Sequence, residues 1–356
     1  MSEDEVMLEG PPTKKLNKGK EKVDEANGHR TEDDEGLPWV EKYRPKGIED
    51  VVSHQDIIST IEKFIDSNRL PHLLFYGPPG TGKTSLILAI ARKIFGDKYK
   101  NQIMELNASD DRGIDVVREQ IKNFASTRQI FSSSFKLIIL DEADAMTVVA
   151  QNALRRIIEQ FTKNVRFCII CNYVNKITPA LQSRCTRFRF QPLPEPQIQK
   201  KIDEIVLAEK VNVSDAARSA LLTLAKGDMR RAVNVLQACH TAFEEEEIDE
   251  AAIYNCVGNP HPEDISRIVA SMMSDDLMTS LSVIARMKSE KGLALQDILG
   301  GVFDELEDME LKNNVRVFLY DKLAGIEHRL SMGGTEKIQL SAMVATVKQA
   351  VDLQAA

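Results

Sequence analysis

Eight consecutive residues constrain this chain more than any other stretch: Gly77-Pro78-Pro79-Gly80-Thr81-Gly82-Lys83-Thr84. They follow the apolar run Leu73-Leu74-Phe75-Tyr76 and precede Ser85-Leu86-Ile87-Leu88-Ala89-Ile90, the setting in which a buried strand passes into a helix. A loop of this composition turns backbone N–H groups inward and cradles phosphate. Lys83 adds a positive charge there, and the Thr84 hydroxyl is suited to ligate Mg²⁺. An accidental Gly/Pro turn would not match all eight positions between a strand and a helix. The chain is therefore expected to bind a nucleoside triphosphate, and Ser85, next in line, belongs to the same loop.

Composition narrows the class. With 356 residues and 43% hydrophobic content, the chain has material for two or three packed units. No apolar run approaches the roughly 20 residues of a membrane-spanning helix. The start, Met1-Ser2-Glu3-Asp4-Glu5, lacks the basic and apolar regions of a signal peptide, so an intracellular chain with no membrane association is expected. Five cysteines are too few for a disulfide framework. Cys168 and Cys171 lie in an apolar strand without a second Cys/His pair at metal spacing, and they read as core thiols. Residues 1–36 hold six bases and eleven acids, hence −5 of the net charge of −8; the nearly balanced body leaves nucleic acid open as a partner. That tail has almost no large apolar side chains and is expected to be disordered, its Lys14–Lys22 cluster being solvated charge or, alternatively, a nuclear address. Glu244–Glu247 likewise reads as a solvated loop.

From residue 37 to 190 strand-like and helix-like patterns alternate: strands at 73–76, 102–106, 136–140, 166–171 and 187–190, helices at 83–94, 116–124 and 148–161. The expected fold class is α/β, a parallel sheet with helices on both faces and its ligand at the carboxyl ends of the strands. Gln191-Pro192-Leu193-Pro194-Glu195-Pro196 is expected to be a hinge. A helical lid (191–259) and a second helical domain (260–356) are expected beyond it, parted near Gly258-Asn259-Pro260-His261-Pro262.

A second landmark is Leu137-Ile138-Ile139-Leu140-Asp141-Glu142-Ala143-Asp144. An aspartate ending an apolar strand can hold Mg²⁺ through its water shell, and the next carboxylate can orient or deprotonate an attacking water. Asp141 is thus the metal partner and Glu142 the catalytic base, while Asp144 is expected to cap the following helix. In the helix 148–161, Val149, Ala150, Ala153, Leu154, Ile157, Ile158 and Phe161 form one broad apolar side, expected to be mostly core. Arg118 and Lys122 are spaced i, i+4 on the helix beginning near Ile114, with Arg112 just before it.

Taken with Trp39-Val40-Glu41-Lys42-Tyr43-Arg44-Pro45, Asn107-Ala108-Ser109-Asp110-Asp111-Arg112-Gly113, Cys171-Asn172-Tyr173, Ser183-Arg184-Cys185 and Gly227-Asp228-Met229-Arg230-Arg231, these motifs resemble the small subunits of the eukaryotic replication factor C clamp loader, members of the AAA+ ATPases. Ser126–Phe131 and Lys291–Leu295 narrow the likeness to one fungal type of small subunit. The resemblance covers the chain from Leu37 to about Gln354.

It implies ATP and Mg²⁺ as ligands, with Val40, Arg44 and Val52 packed on adenine and ribose. Asn172 would be a polar sensor at the γ-phosphate, and Arg230 a second sensor reaching from the lid. Arg184 would be an arginine finger acting in trans on the ATP of a neighbouring subunit. Arg112, Arg118 and Lys122 would track the DNA backbone without reading sequence, and 260–356 would be the collar of a heteropentamer. The implied partners are the other large and small replication factor C subunits, the sliding clamp (proliferating cell nuclear antigen) and primer-template DNA, in the nucleus, during replication and repair. The helix 148–161 would face the clamp, although Gln151 and Leu154 match clamp-binding peptides only faintly. Two alternatives stand beside this reading. An RNA helicase of the Asp-Glu-Ala-Asp type would need a second sheet-containing domain where this sequence is helical. A subunit of the same assembly that binds nucleotide without hydrolysing it would not need Lys83, Thr84, Asp141 and Glu142 all intact.

Overall fold

Continuous apolar runs become the inner strands of the sheet. In the computed structural model, which describes residues 36–51, 53–67, 69–96, 99–108, 114–126, 135–243 and 246–355, five strands lie in the order β2-β3-β4-β1-β5. They are β1 (Leu73–Tyr76), β2 (Ile103–Asn107), β3 (Lys136–Asp141), β4 (Val165–Cys171) and β5 (Thr186–Arg189). Every pairing is parallel: Leu73 faces Cys168 on one side and Thr186 on the other, and Asn107 faces Asp141. The inner strands β1, β3 and β4 are buried on both faces over the hydrophobic stretches Leu73–Phe75, Leu137–Leu140 and Phe167–Cys171, as parallel strands covered by helices are. Edge strand β5 alternates half-buried Thr186 and Phe188 with exposed Arg187 and Arg189.

The helices are α1 (Trp39–Lys42), α2 (Gln55–Asp66), α3 (Lys83–Phe95), α4 (Tyr99–Gln102), α5 (Ile114–Ser126), α6 (Val148–Phe161) and α7 (Pro179–Gln182) around the sheet. They continue with α8 (Glu195–Glu209), α9 (Asp215–Ala225), α10 (Met229–Phe243), α11 (Glu250–Val257), α12 (Pro262–Ser274), α13 (Leu277–Lys291), α14 (Leu295–Asp308), α15 (Asn313–Ser331) and α16 (Glu336–Ala355). Alternate residues of each inner strand serve opposite faces. Leu73, Phe75, Leu137, Ile139, Cys168 and Ile170 pack with Ile61 of α2 and Leu86, Ile87 and Ile90 of α3. Leu74, Ile138, Leu140, Phe167 and Ile169 pack with Ile121 of α5 and Leu154, Ile157 and Ile158 of α6. Two further cores are helical, one from α8 to α11 and one from α12 to α16.

Several expectations are corrected. The apolar side of α6 is mostly core as expected, with Ala150, Leu154, Ile157 and Ile158 buried and Phe161 packed against them, but Val149 is 75% exposed, as is Val148 beside it at 62%. They stand in the first turn, which Thr147 caps by accepting from Ala150 N–H at 3.3 Å. The proline run is not a free hinge, because Leu193 is buried in the α8–α11 core and its N–H donates to Gly227 O at 3.0 Å. Pro194 is the N-cap of α8 and Pro196 lies in its first turn, where a missing N–H costs nothing. Trp39 of the amino-terminal strap is buried among α8–α11 side chains; its backbone N–H donates to Gln237 Oε1 at 3.0 Å and its ring lies 5.3 Å from that of His240.

Cys168 and Cys171 are core thiols in β4, both pushed up by burial, Cys171 to about 12. His72, just before β1, is 8% exposed; its Nδ1 accepts from Phe167 N–H at 3.2 Å, while Nε2 is buried without a partner among the described residues. Burial, with the nearby Arg166 charge second, lowers its pKa from 6.5 to about 4. The unfolded chain therefore binds a proton that the folded chain refuses, so stability present above pH 6.5 declines as the pH falls toward 4. The loss is about 3 kcal/mol. In His72→Gln, whose carbonyl keeps an acceptor for Phe167 N–H, denaturant midpoints measured from pH 7 to pH 4 are expected to fall less steeply than in the parent.

Candidate active site at the phosphate loop

Because all five strands run the same way, their carboxyl ends bring the separated motifs together. One cleft is lined by Val40 and Arg44 from the strap, Pro79 to Ser85 from the loop, Asp141 and Glu142 after β3, Asn172 after β4, and Met229 and Arg230 at the start of α10. Gly77 and Pro78 lie behind it, and their carbonyls hold the lysine. Lys83 Nζ donates to Gly77 O at 2.8 Å, to Pro78 O at 2.7 Å and to Asn172 Oδ1 at 3.1 Å, which uses all three ammonium donors. Burial pulls the Lys83 pKa down; the Asp141 charge opposes that pull and the Arg230 charge adds to it.

The residues fit Mg²⁺. Thr84 Oγ1 donates to Asp141 Oδ2 at 2.7 Å, so the two expected metal residues, 57 positions apart, share one point in space. Among the described residues no group of three or more His, Cys, Asp or Glu side chains could hold a metal. A pair with few protein ligands suits an ion that keeps waters and takes phosphate oxygens. Glu142 has φ +53°, in the left-handed region that non-glycine residues rarely occupy, and its N–H donates to Asp141 Oδ1 at 2.8 Å. Strain of this kind, of order 1–3 kcal/mol, concentrates at functional sites. Asp144 does not cap a helix by its side chain; it accepts from Tyr173 N–H at 3.4 Å and ties the turn after β3 to the one after β4.

Arg184 is not among the residues lining this cleft. It follows α7, with one guanidinium nitrogen donating to Ala180 O at 2.7 Å and another paired with Glu159 of α6. On α5 Lys122 is exposed; Val52 and Arg112 lie outside the described residues, and Arg118 is placed on α5 without a described side chain. Sequence reasoning missed the α8 contribution: Lys201 and Ile205 line the cleft beside Leu193. The signal was available, since Ile198, Ile202 and Ile205 mark the buried stripe of α8 and Lys201 adjoins it. It also missed how closely the loop meets the helical part. Gly80 has φ +68°, a Cβ there would stand 1.6 Å from Asp228 Oδ1, and Gly80 O accepts from Met229 N–H at 3.3 Å.

The sequence matches the family described as "ATPase family associated with various cellular activities (AAA)" over residues 73–193 and "Replication factor C C-terminal domain" over 260–346. It is 66% identical over 319 residues to replication factor C subunit 3 of Schizosaccharomyces pombe, covering 90% of this chain and 93% of that one. The chain belongs to the replication factor C family. Subunit 3 of Saccharomyces cerevisiae is 55% identical over 318 residues (88% and 94% covered), and human replication factor C subunit 5 is 54% identical over 318 residues (89% and 93%). The likeness to a fungal third subunit among the replication factor C small subunits is thereby met. A solved RuvB variant from Thermotoga maritima superposes with a TM-score of 0.51 at 15% identity, covering 76% of this chain and 93% of that one, a likeness of fold alone. The chain is thus an AAA-type P-loop protein with a replication factor C helical carboxyl part, and among its described residues no helix is long and apolar enough to cross a membrane.

Gly80→Ala is expected to push the start of α10 off the loop. Hydrogen exchange should accelerate at least tenfold at the Met229 and Arg231 amides, which bond to Gly80 O and to Asp228 Oδ1. Exchange at Leu221, inside α9, should stay unchanged.

Proposed function

We propose that this chain is an ATP-binding and ATP-hydrolysing subunit of a heteropentameric clamp loader that opens the sliding clamp, proliferating cell nuclear antigen, and places it on primer-template DNA in the nucleus. The observation that carries the reading is a complete phosphate cleft from which the expected arginine finger is absent. Lys83, Thr84, Asp141, Glu142, Asn172 and Arg230 converge, while Arg184 stands elsewhere with a side chain 34% exposed. A site lacking its own transition-state arginine needs one from a neighbour.

Within this reading the backbone N–H groups of the loop and the Lys83 ammonium hold the β- and γ-phosphates. Phosphate oxygens take over the Lys83 donors now spent on Gly77, Pro78 and Asn172. Mg²⁺, when bound at Thr84 and Asp141, supplies charge neutralisation at the β- and γ-phosphate oxygens. Glu142 takes the proton of the attacking water, Asn172 orients that water or the γ-phosphate, and Arg230 reports the γ-phosphate to the helices that carry it. Val40, Arg44 and Val52 make the purine slot; Arg44 Nε donates to Ser85 Oγ at 3.4 Å, which ties the slot to the loop. Residues 37–190 are the ATPase domain, 191–259 its lid and 260–356 the collar that joins the other large and small subunits. Residues 1–36 are the charged tail.

Arg112, Arg118 and Lys122 meet the DNA backbone irrespective of sequence. Replacing Arg118 and Lys122 by alanine in the assembled complex should flatten the plot of log affinity against log salt by about 0.9 for each DNA phosphate that is no longer neutralised. An unaltered slope excludes them.

Arg184→Ala is expected to leave ATP binding by this chain intact and to lower turnover at the adjacent site by about 10³-fold. Steady-state ATPase assays of the reconstituted complex and of the isolated chain check both halves. Unchanged hydrolysis in the complex, or vigorous hydrolysis by the chain alone, refutes the reading.

A further inference from the structure

We infer that Glu159 is the positioning residue for Arg184, holding its guanidinium in the orientation from which it serves a neighbouring subunit's phosphates. The inference rests on the reading of Arg184 given above and adds the group that aims it.

Arg184 follows a helix of only four residues, α7, whose last carbonyls have no partner within the helix. Nη1 donates to one of them, Ala180 O, at 2.7 Å, and Nη2 pairs with Glu159 Oε1. That same oxygen lies 3.5 Å from Nε of Arg155, one turn earlier on α6. The Arg155 charge thus draws the Glu159 carboxylate from along its own helix as well. One guanidinium N–H, on Nη1, is hydrogen-bonded, and Nη2 faces the Glu159 carboxylate as an ion pair. With 34% of its side chain exposed, the guanidinium is open to an incoming anion.

Exposure decides whether Glu159 aims the arginine or withholds it. Arg184 is 34% and Glu159 44% exposed, and ion pairs this open shift an equilibrium by only about two- to fivefold. A desolvated triphosphate offering two parallel N–H···O contacts outcompetes such a pair. What a weak, well-placed carboxylate can do is choose a rotamer. An unrestrained arginine must freeze several torsions as the phosphoryl group transfers, and a misplacement of about 1 Å costs on the order of 10²-fold in rate. Held at Ala180 O on one side and Glu159 on the other, the fork enters the interface already set.

The test uses the chain reconstituted with its companion subunits, with the phosphate-loop lysines replaced at every site except the one that faces Arg184. Glu159→Gln is expected to lower kcat about three- to tenfold with KM for ATP unchanged, the signature of an interaction realised only in the transition state. Glu159→Asp should recover part of the loss, and in an Arg184→Ala background Glu159→Gln should cost nothing further. Full kcat in Glu159→Gln beside a collapsed kcat in Arg184→Ala overturns this inference and leaves the reading of Arg184 standing. A loss of equal size in the Arg184→Ala background also overturns it, because the effect would then be structural. Full kcat in Arg184→Ala overturns both.

Discussion

Parallel pairing of β1 with β4 on one side and β5 on the other fixes almost everything else in the first half of this chain. It obliges every inner strand to be covered on both faces, which is why Leu73-Leu74-Phe75-Tyr76 and Leu137–Leu140 carry no polar alternation. It also sends the carboxyl ends of β1, β3 and β4 to the same edge. Lys83, Asp141 and Asn172 therefore meet although they are remote in sequence, and the close approach of Lys83 Nζ to Asn172 and of Thr84 to Asp141 is the direct product.

The electrostatics of that edge are poised rather than relaxed. A lysine 7% exposed donates to two backbone carbonyls and one amide oxygen. All three are neutral acceptors, weaker than the charged oxygens a phosphate supplies. The loop thus presents a cation whose present partners are the poorer choice. Glu142, held at positive φ beside Asp141, is a second element kept away from its local minimum by the surrounding structure.

Much of this was legible in the sequence because glycines, a lysine and carboxylates at fixed offsets leave few conformational alternatives. The span of β1 and that of α6 follow the hydrophobic pattern residue for residue, and the break at Gly258 is a left-handed C-cap followed by His261 as the next N-cap. What escaped were features set by tertiary neighbours. Periodicity put Val149 on the apolar side of α6, yet Val149 is 75% exposed while Ala150 next to it is buried, a difference set by which neighbours cover the first turn. Asp144 had the look of a cap, but its carboxylate accepts from Tyr173 N–H, which follows the neighbouring strand β4. The Gly80–Asp228 approach and the Glu159–Arg184 pair join residues from separate elements, which local patterns do not encode. The roles of Val52 and Arg112 fall on residues outside those described.

The strap at Trp39 has a mechanical consequence. Its ring is seated among the α8–α11 helices and its neighbour Lys42 is paired with Glu209 of α8 at 2.7 Å, whereas Arg44, two residues further, reaches Ser85 on α3. The strap is consequently a short bridge, anchored at one end in the α8–α11 core and at the other on α3. On the roles proposed above for Val40, Arg44 and Arg230, grip on the base and sensing of the terminal phosphate are then coupled through that one linkage.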